Sequence, residues 1–268
     1  MRKYKMIRHL LAAAFTFMVA ISTVYCQSEQ LVINLSPASL PGILTFENPK
    51  GSIKVTGYDG DVILVTDTLR VREKEKVINN GMREIRQNAL DISAEVNGNN
   101  VVLHAGTSGK TVDFDIKVPR NFSLKLKSLD NGNVQIVNIN GEIEVVNSNG
   151  DISLENVAGS AVLSSVYGKI TAGFREVTPN SPMMFTSFEG DVTITLPGSV
   201  NARLKMKSEK GEILSDFDIK YDKRKAVVKK TENSRIYSLE DWVTCTLNAG
   251  GPEYVIRSYN GNVSIRKK

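Results

Sequence analysis

The stretch Gly132-Asn133-Val134-Gln135-Ile136-Val137-Asn138-Ile139-Asn140-Gly141-Glu142-Ile143-Glu144-Val145-Val146-Asn147-Ser148-Asn149-Gly150-Asp151-Ile152-Ser153-Leu154 places a glycine every nine residues, with apolar residues two and four positions after each. The period continues through Gly159 and Gly168, whose apolar pairs are Ala161 with Leu163 and Ile170 with Ala172. Self-similarity at a fixed period marks a repeat architecture, and here the unit is one short strand plus one corner. Gly51 and Gly60 repeat the nine-residue spacing near the front of the chain. Beyond Gly168 the motif loosens to a serine three residues before a glycine, at Ser165, Ser187, Ser208 and Ser258.

Side chains alternate sides along a strand, so each unit sends two or three residues inward before the chain must turn sharply. Glycine supplies the positive φ that such corners need, and asparagine tolerates it best among the other residues. Two nine-residue units make one coil of about 18 to 22 residues, so residues one coil apart lie above each other, about 4.7 to 4.9 Å away. Val134, Ile152 and Ile170 are then expected to form an apolar column. The pairs Asn131/Asn149 and Asn138/Asn156 are expected to form amide ladders. The fold class that follows is all-β, a single-stranded β-solenoid. An immunoglobulin-like sandwich also has many short strands, but it does not require constant nine-residue spacing.

Two segments interrupt the pattern. Over 70–95 the residues are charged, and Ile78, Met82, Ile85 and Ala89 fall at helical spacing, which predicts one short amphipathic helix. Val96 to Leu103 and Thr111 to Val118 then read as a strand pair. The second segment, 216–251, contains Trp242 and reads as an irregular insertion. Open solenoid ends expose unpaired backbone, so both segments are candidate covers.

The first residues address the chain. Arg2, Lys3, Lys5 and Arg8 precede an uncharged apolar run from Leu10 to about Val24, and a polar stretch starts at Gln27, the form of a secretory signal peptide over 1–26. The run is too short to favour a span of about 20 residues, so the domain is expected over 27–268, without a membrane span, exported to the periplasm, the outer surface or the medium. Cys26 offers lipoprotein anchoring as an alternative, which the bulky Tyr25 disfavours. The four signal cations account for most of the excess of 34 basic over 29 acidic residues, so the mature chain is near neutral. No basic stripe for nucleic acid is left. The densest basic run, from Lys223 to Lys230, reads as a solvated strand edge. Cys245 then has no internal disulfide partner and, in a β-prone run, reads as a small core hydrophobe.

No residue is nominated as catalytic, cofactor-binding or metal-binding. His104 is the single histidine outside the signal and reads as a strand-end residue, which leaves no serine or cysteine triad. There is no Cys-x-x-Cys and no histidine pair at helical spacing. Asp113 with Asp115, and Asp216 with Asp218, alternate along strands, but glycoside hydrolysis needs two carboxylates facing each other across a bond. These read as polar outer faces. Tyr58, Tyr167, Phe188 and Tyr259 stand one or two residues before corner glycines, so they are candidate ligand-binding residues at exposed turns, unless they stack on neighbouring coils.

The glycine corners with Ile or Val at plus two, the Asp113-Phe114-Asp115-Ile116-Lys117-Val118-Pro119 strand, Ile194-Thr195-Leu196-Pro197 and Ser258-Tyr259-Asn260-Gly261-Asn262-Val263-Ser264-Ile265 resemble the bacterial putative-adhesin families of unknown function. The resemblance covers most of the mature chain and implies a right-handed β-helix exported to the cell envelope. The function expected is that of a non-enzymatic envelope or surface protein, adhesive or ligand-binding through a solenoid face, with a cell-surface glycan or an envelope protein as partner. A polysaccharide-processing β-helix enzyme and a structural or stress-sensing envelope part are the alternatives.

Overall fold

The computed structural model describes residues 30–37, 40–70, 92–106, 109–219, 226–231, 234–239 and 241–268, so the signal segment lies outside them and the expected helix falls almost wholly on the undescribed 71–91. Every regular element among the described residues is a strand. The front of the chain gives β1 (Gln30–Asn34), β2 (Gly42–Asn48), β3 (Ile53–Tyr58), β4 (Val62–Leu69), β5 (Ile92–Asn97), β6 (Asn100–Ala105) and β7 (Val112–Pro119). The regular array follows as β8 (Phe122–Ser128), β9 (Val134–Val137), β10 (Asn140–Asn149), β11 (Ile152–Tyr167), β12 (Ile170–Val177), β13 (Met183–Glu189) and β14 (Val192–Leu196). The remainder is β15 (Ala202–Ser208), β16 (Ile213–Ser215), β17 (Ala226–Thr231), β18 (Ser234–Leu239), β19 (Val243–Leu247), β20 (Glu253–Asn260) and β21 (Val263–Lys267).

Nineteen of these strands form one mixed sheet that wraps around a single core, and β17 with β18 forms a separate hairpin. The sheet runs as two columns of parallel strands. The first has the order β7, β3, β9, the first part of β11, β12, β14, β21, β16. The second has the order β6, β2, β8, β10, the latter part of β11, β13, β20, β15. One coil is therefore a strand of the second column followed by a strand of the first, and the nine-residue unit is half a coil. The parallel pairing excludes an immunoglobulin-like sandwich, whose layers are antiparallel.

Coils follow the chain in order only from β8 to β14. At the front, the coil β2–β3 is inserted between β6–β7 and β8–β9. At the back, the coil β20–β21 is inserted between β13–β14 and β15–β16. A strictly sequential solenoid is thus corrected at both ends. The physical reason is edge protection: the outermost coils are those whose neighbouring chain can fold back as antiparallel cover. Strand β5 covers β6, β4 covers β7 with β1 beyond it, and β19 covers β15. Two further expectations change. β6 and β7 do not pair but occupy opposite columns, and the supposed irregular segment 216–251 contains β19 and the β17–β18 hairpin, in which Lys229 and Lys230 sit on β17.

The inward rows are apolar through the stack. Phe114, Ile53, Val134, Ile152, Ile170, Val192 and Val263 share one register row of the first column, and all are buried. Leu103, Phe46, Leu126, Val145, Leu163, Phe185, Ile256 and Met206 form the corresponding row of the second. Each such side chain contributes about 1.5–3 kcal/mol by leaving water. Phe46 meets Phe114 edge-on across the core, with centroids 5.0 Å apart. Cys245, paired in register with Leu204, is buried as expected of a small hydrophobe.

One inward row is polar. Asn48, Ser128, Asn147, Ser165, Ser187, Ser258 and Ser208 align at the corner that leads from the second column to the first. Their side chains donate to backbone carbonyls of adjacent coils: Ser187 Oγ to Gly168 O at 2.9 Å, Ser258 Oγ to Gly190 O at 2.9 Å, Ser208 Oγ to Gly261 O at 2.8 Å and Asn147 Nδ2 to Gly132 O at 3.0 Å. That is the reason for a serine three residues before each glycine. The sharp corner leaves a carbonyl without a ladder partner, and a buried orphan of that kind costs about 1–3 kcal/mol. At the other corner, Asn138 and Asn156 both take positive φ, and Asn156 Nδ2 donates to Asn138 Oδ1 at 2.6 Å, the expected ladder. Asn131 and Asn149 form no such ladder; there the Gly132 N–H donates to the Asn149 carbonyl at 3.2 Å.

Candidate interaction surfaces

The four sequence-selected aromatics do not form one site. Tyr58 ends β3 in the first column, where its hydroxyl donates to the Val62 carbonyl at 2.8 Å and its ring lies over Gly60. It closes its own turn. Phe188 and Tyr259 share a register row at the opposite corner and stack with centroids 4.9 Å apart and planes 4° apart. Lys210 Nζ lies 5.0 Å from the outer face of the Tyr259 ring pair, so Tyr259 is covered on both faces. Tyr259 therefore offers only its ring edge, while Phe188 is 48% exposed. Tyr167 sits in the next row, beside Asn149 and Glu189, and is 52% exposed.

The stack belongs to a larger feature of the second column's outer face. Val162 and Met184 lie side by side there, Val146, Val166, Phe188 and Tyr259 are further exposed apolar residues on the same outer face, and Ile43 lies beyond the Lys125–Glu144 pair. Ion pairs flank these residues. Lys125–Glu144 and Lys127–Glu47, each 3.2 Å, stand on one side, and Lys207–Glu209 at 2.8 Å stands on the other. Lys205 adds a cation 5.0 Å from the Trp242 ring. One outward row of the first column reads Lys54, Gln135, Ser153, Thr171, Thr193, Ser264 and, at its end, the exposed Leu214. The second column's outer face thus carries two short apolar groups, Val162 with Met184 in one row and Val166, Phe188 and Tyr259 in another, set among polar and charged rows. A groove of about 610 Å³ continues this outer face toward the front of the stack, lined by Ile43, Thr45, Val102, Lys125, Glu144 and Val162.

The paired carboxylates are committed elsewhere. Arg70 grips Asp113 with two bonds, Nε to Oδ2 at 3.1 Å and Nη2 to Oδ1 at 2.6 Å, and also donates to the Asn131 carbonyl at 2.8 Å. Burial alone would raise the Asp113 carboxyl, but the bonds from Arg70 and from the Ser52 N–H outweigh it and hold the group below its ordinary value. Asp115 pairs with Lys54 at 3.3 Å. Asp216 and Asp218 lie in the exposed turn after β16. His104 stands 3.9 Å from Glu95 on the exposed side of the β5–β6 hairpin. Among the described residues no group of three histidine, cysteine or acidic side chains could hold a metal ion. No helix among them is long and apolar enough to cross a membrane.

A smaller pocket of about 370 Å³ lies at the corner that leads from the first column back to the second, between 175–180, 197–201 and 250–252, with Tyr254 among its lining residues. Neither this pocket nor the exposed apolar groups were marked by a motif. Those groups were readable only as Val and Met at outward positions, where a polar residue is the rule.

Fold and surface together define an all-β protein of stacked coils. Residues 44–266 match the model of the Toastrack DUF4097 family, and the chain belongs to that family. No curated protein matches it. Among solved structures it is similar to a putative cell adhesion protein from Clostridium sporogenes, at 12% identity over 90% of this chain and 98% of that one, with a TM-score of 0.45. It is likewise similar to a putative adhesin from Bacteroides fragilis, at 12% identity over 90% of this chain and 96% of that one, with a TM-score of 0.42.

Proposed function

We propose that this is an exported, non-enzymatic envelope or surface protein that binds an envelope protein across the outer face of its second strand column. The observation that carries this reading is the exposed apolar groups Val162 with Met184 and Val166 with Phe188 and Tyr259, lying between ion pairs on one outer face. Apolar groups bordered by charged residues match the anatomy of a protein interface, apolar at its centre and polar at its rim. The winding is read as right-handed, the sense that parallel crossover connections take. The signal-like start supports export. Nothing favours the polysaccharide-processing alternative, because Asp113 and Asp115 are neutralised by Arg70 and Lys54 rather than facing each other across a cleft.

The test is capture of cell-envelope protein by the immobilised mature chain, compared with a Val162→Glu/Met184→Glu variant whose melting temperature is unchanged. Specific capture by the parent and its loss in the variant are expected. Equal capture by both, or none by the parent, refutes the reading.

A further inference from the structure

Tyr254 is a tyrosine where the fold asks only for an aliphatic residue. It occupies the inward row of the second column that also holds Leu44, Leu124, Ile143, Met183 and Leu204, and it is 1% exposed. A phenylalanine would fill the same volume without taking a hydroxyl out of water, and a buried tyrosine hydroxyl normally finds a protein partner. None of the hydrogen bonds of the described residues involves the Tyr254 hydroxyl. Tyr254 is among the residues that line the corner pocket. Burial raises the phenol above its ordinary value.

The rest of the lining limits what can enter. Arg175 brings a guanidinium held by one bond, Nη2 to Asn140 Oδ1 at 2.7 Å. Glu176 brings a carboxylate, Asn180 and Ser199 bring an amide and a hydroxyl, and Val177 and Val200 supply apolar surface. A phosphate would meet Glu176 and a cation would meet Arg175, so neither is favoured by net charge. Mixed donors and acceptors over an apolar patch match a ring bearing several hydroxyls. A volume of about 370 Å³ is near the lower end for ligand sites, which allows one ring rather than a chain.

We propose that this corner pocket binds a single sugar residue of a neutral glycan, with the Tyr254 hydroxyl and the Arg175 and Glu176 side chains as its hydrogen-bonding groups. The site is separate from the exposed apolar groups and does not rest on the function proposed for them.

The experiment is a ¹H–¹⁵N titration of the whole mature chain with the methyl glycosides of glucose, galactose, mannose and N-acetylglucosamine, and with inorganic phosphate in parallel. At least one glycoside is expected to move the amides of 175–180, 197–201 and 250–254 with a millimolar Kd. Tyr254→Phe, with an unchanged melting temperature, is expected to weaken that Kd about tenfold, the value of one hydrogen bond. The Val162→Glu/Met184→Glu variant is expected to titrate like the parent, which separates this site from the protein-binding face. The proposal is overturned if no glycoside moves these amides, if phosphate moves them instead, or if Tyr254→Phe titrates unchanged.

Discussion

Replacing Gly150 with alanine would place a methyl carbon 2.2 Å from the carbonyl oxygen of Gly132 and 2.8 Å from Asn133 Oδ1, at a backbone φ of +138°. An unforced carbon–oxygen contact is about 3.3 Å, so the two coils would have to part by about 1 Å. Both oxygens are already in use: Gly132 O accepts from Asn147 Nδ2 at 3.0 Å, and Asn133 Oδ1 accepts from the Asp151 N–H at 2.9 Å. Losing two such bonds costs about 1–3 kcal/mol, and backbone strain at that φ adds about 1–3 kcal/mol. A loss of about 4 kcal/mol is a large share of a total stability of about 5–15 kcal/mol. For a chain of this size it lowers Tm by about 8–16 °C. Two other glycines calibrate the measurement. Gly98→Ala has φ of +61° and no atom within 4 Å, so it reports conformational strain alone, about 1–2 kcal/mol. At Gly173 the nearest atom is the Leu154 oxygen at 3.6 Å, an ordinary contact, so Gly173→Ala should leave Tm unchanged or slightly raised. Thermal unfolding followed by circular dichroism orders the three. If Gly150→Ala loses no more than Gly98→Ala, the close approach of successive corners is wrong.

Other substitutions probe the remaining contacts. Ile152→Ala removes the middle of the apolar row between Val134 and Ile170 and should cost about 2–5 kcal/mol, read as a lower denaturation midpoint at constant slope. Ser187→Ala leaves the Gly168 carbonyl without its donor and should cost about 1–3 kcal/mol, whereas Ser187→Thr should cost less if the hydroxyl is what counts. Arg70→Ala releases Asp113. Because the folded-state carboxyl is held below its ordinary value of about 3.9, its contribution is complete above that pH and is lost as pH falls through the lower folded value. The variant should therefore unfold in acid at a higher pH than the parent, and an unchanged acid midpoint would remove Arg70 from that role.

The repeat was legible in the chain because its cause is local. Gly150 takes a positive φ, and at Gly132 and Gly141 a Cβ would run into the Gly51 and Phe122 carbonyls of the neighbouring coil, while the alternation after each one fixes which side chains turn inward. Val134, Ile152 and Ile170 accordingly share a row. The order of coils was not legible. Ile53 looks like Val134 at the level of pattern, so any inward row fits any neighbour, and nothing near Ile53 states that Phe114 lies on its other side. That choice depends on which segments return as antiparallel cover, a property of the ends rather than of the unit. The segment 216–251 lacks the glycine spacing and so looked irregular, although Val243–Leu247 alternates well enough to form β19. Exposure of Phe188 and Tyr259 followed from their positions beside glycines. Their stacking did not, because it depends on a coil 71 residues away being laid directly against β13.

The threading of the last coil between two earlier ones is the claim on which the rest depends. Thr193 and Ser264 point outward in register on β14 and β21, while Ser264 and Leu214 are paired in the same way on β21 and β16. With Cys245 replaced by alanine, cysteines at 193 and 264, or at 264 and 214, should each be joined by a short thiol cross-linker within one molecule, and cysteines at 193 and 214 should not. Efficient linking of 193 to 214 with none of 193 to 264 would show coils stacked in chain order and would contradict the account.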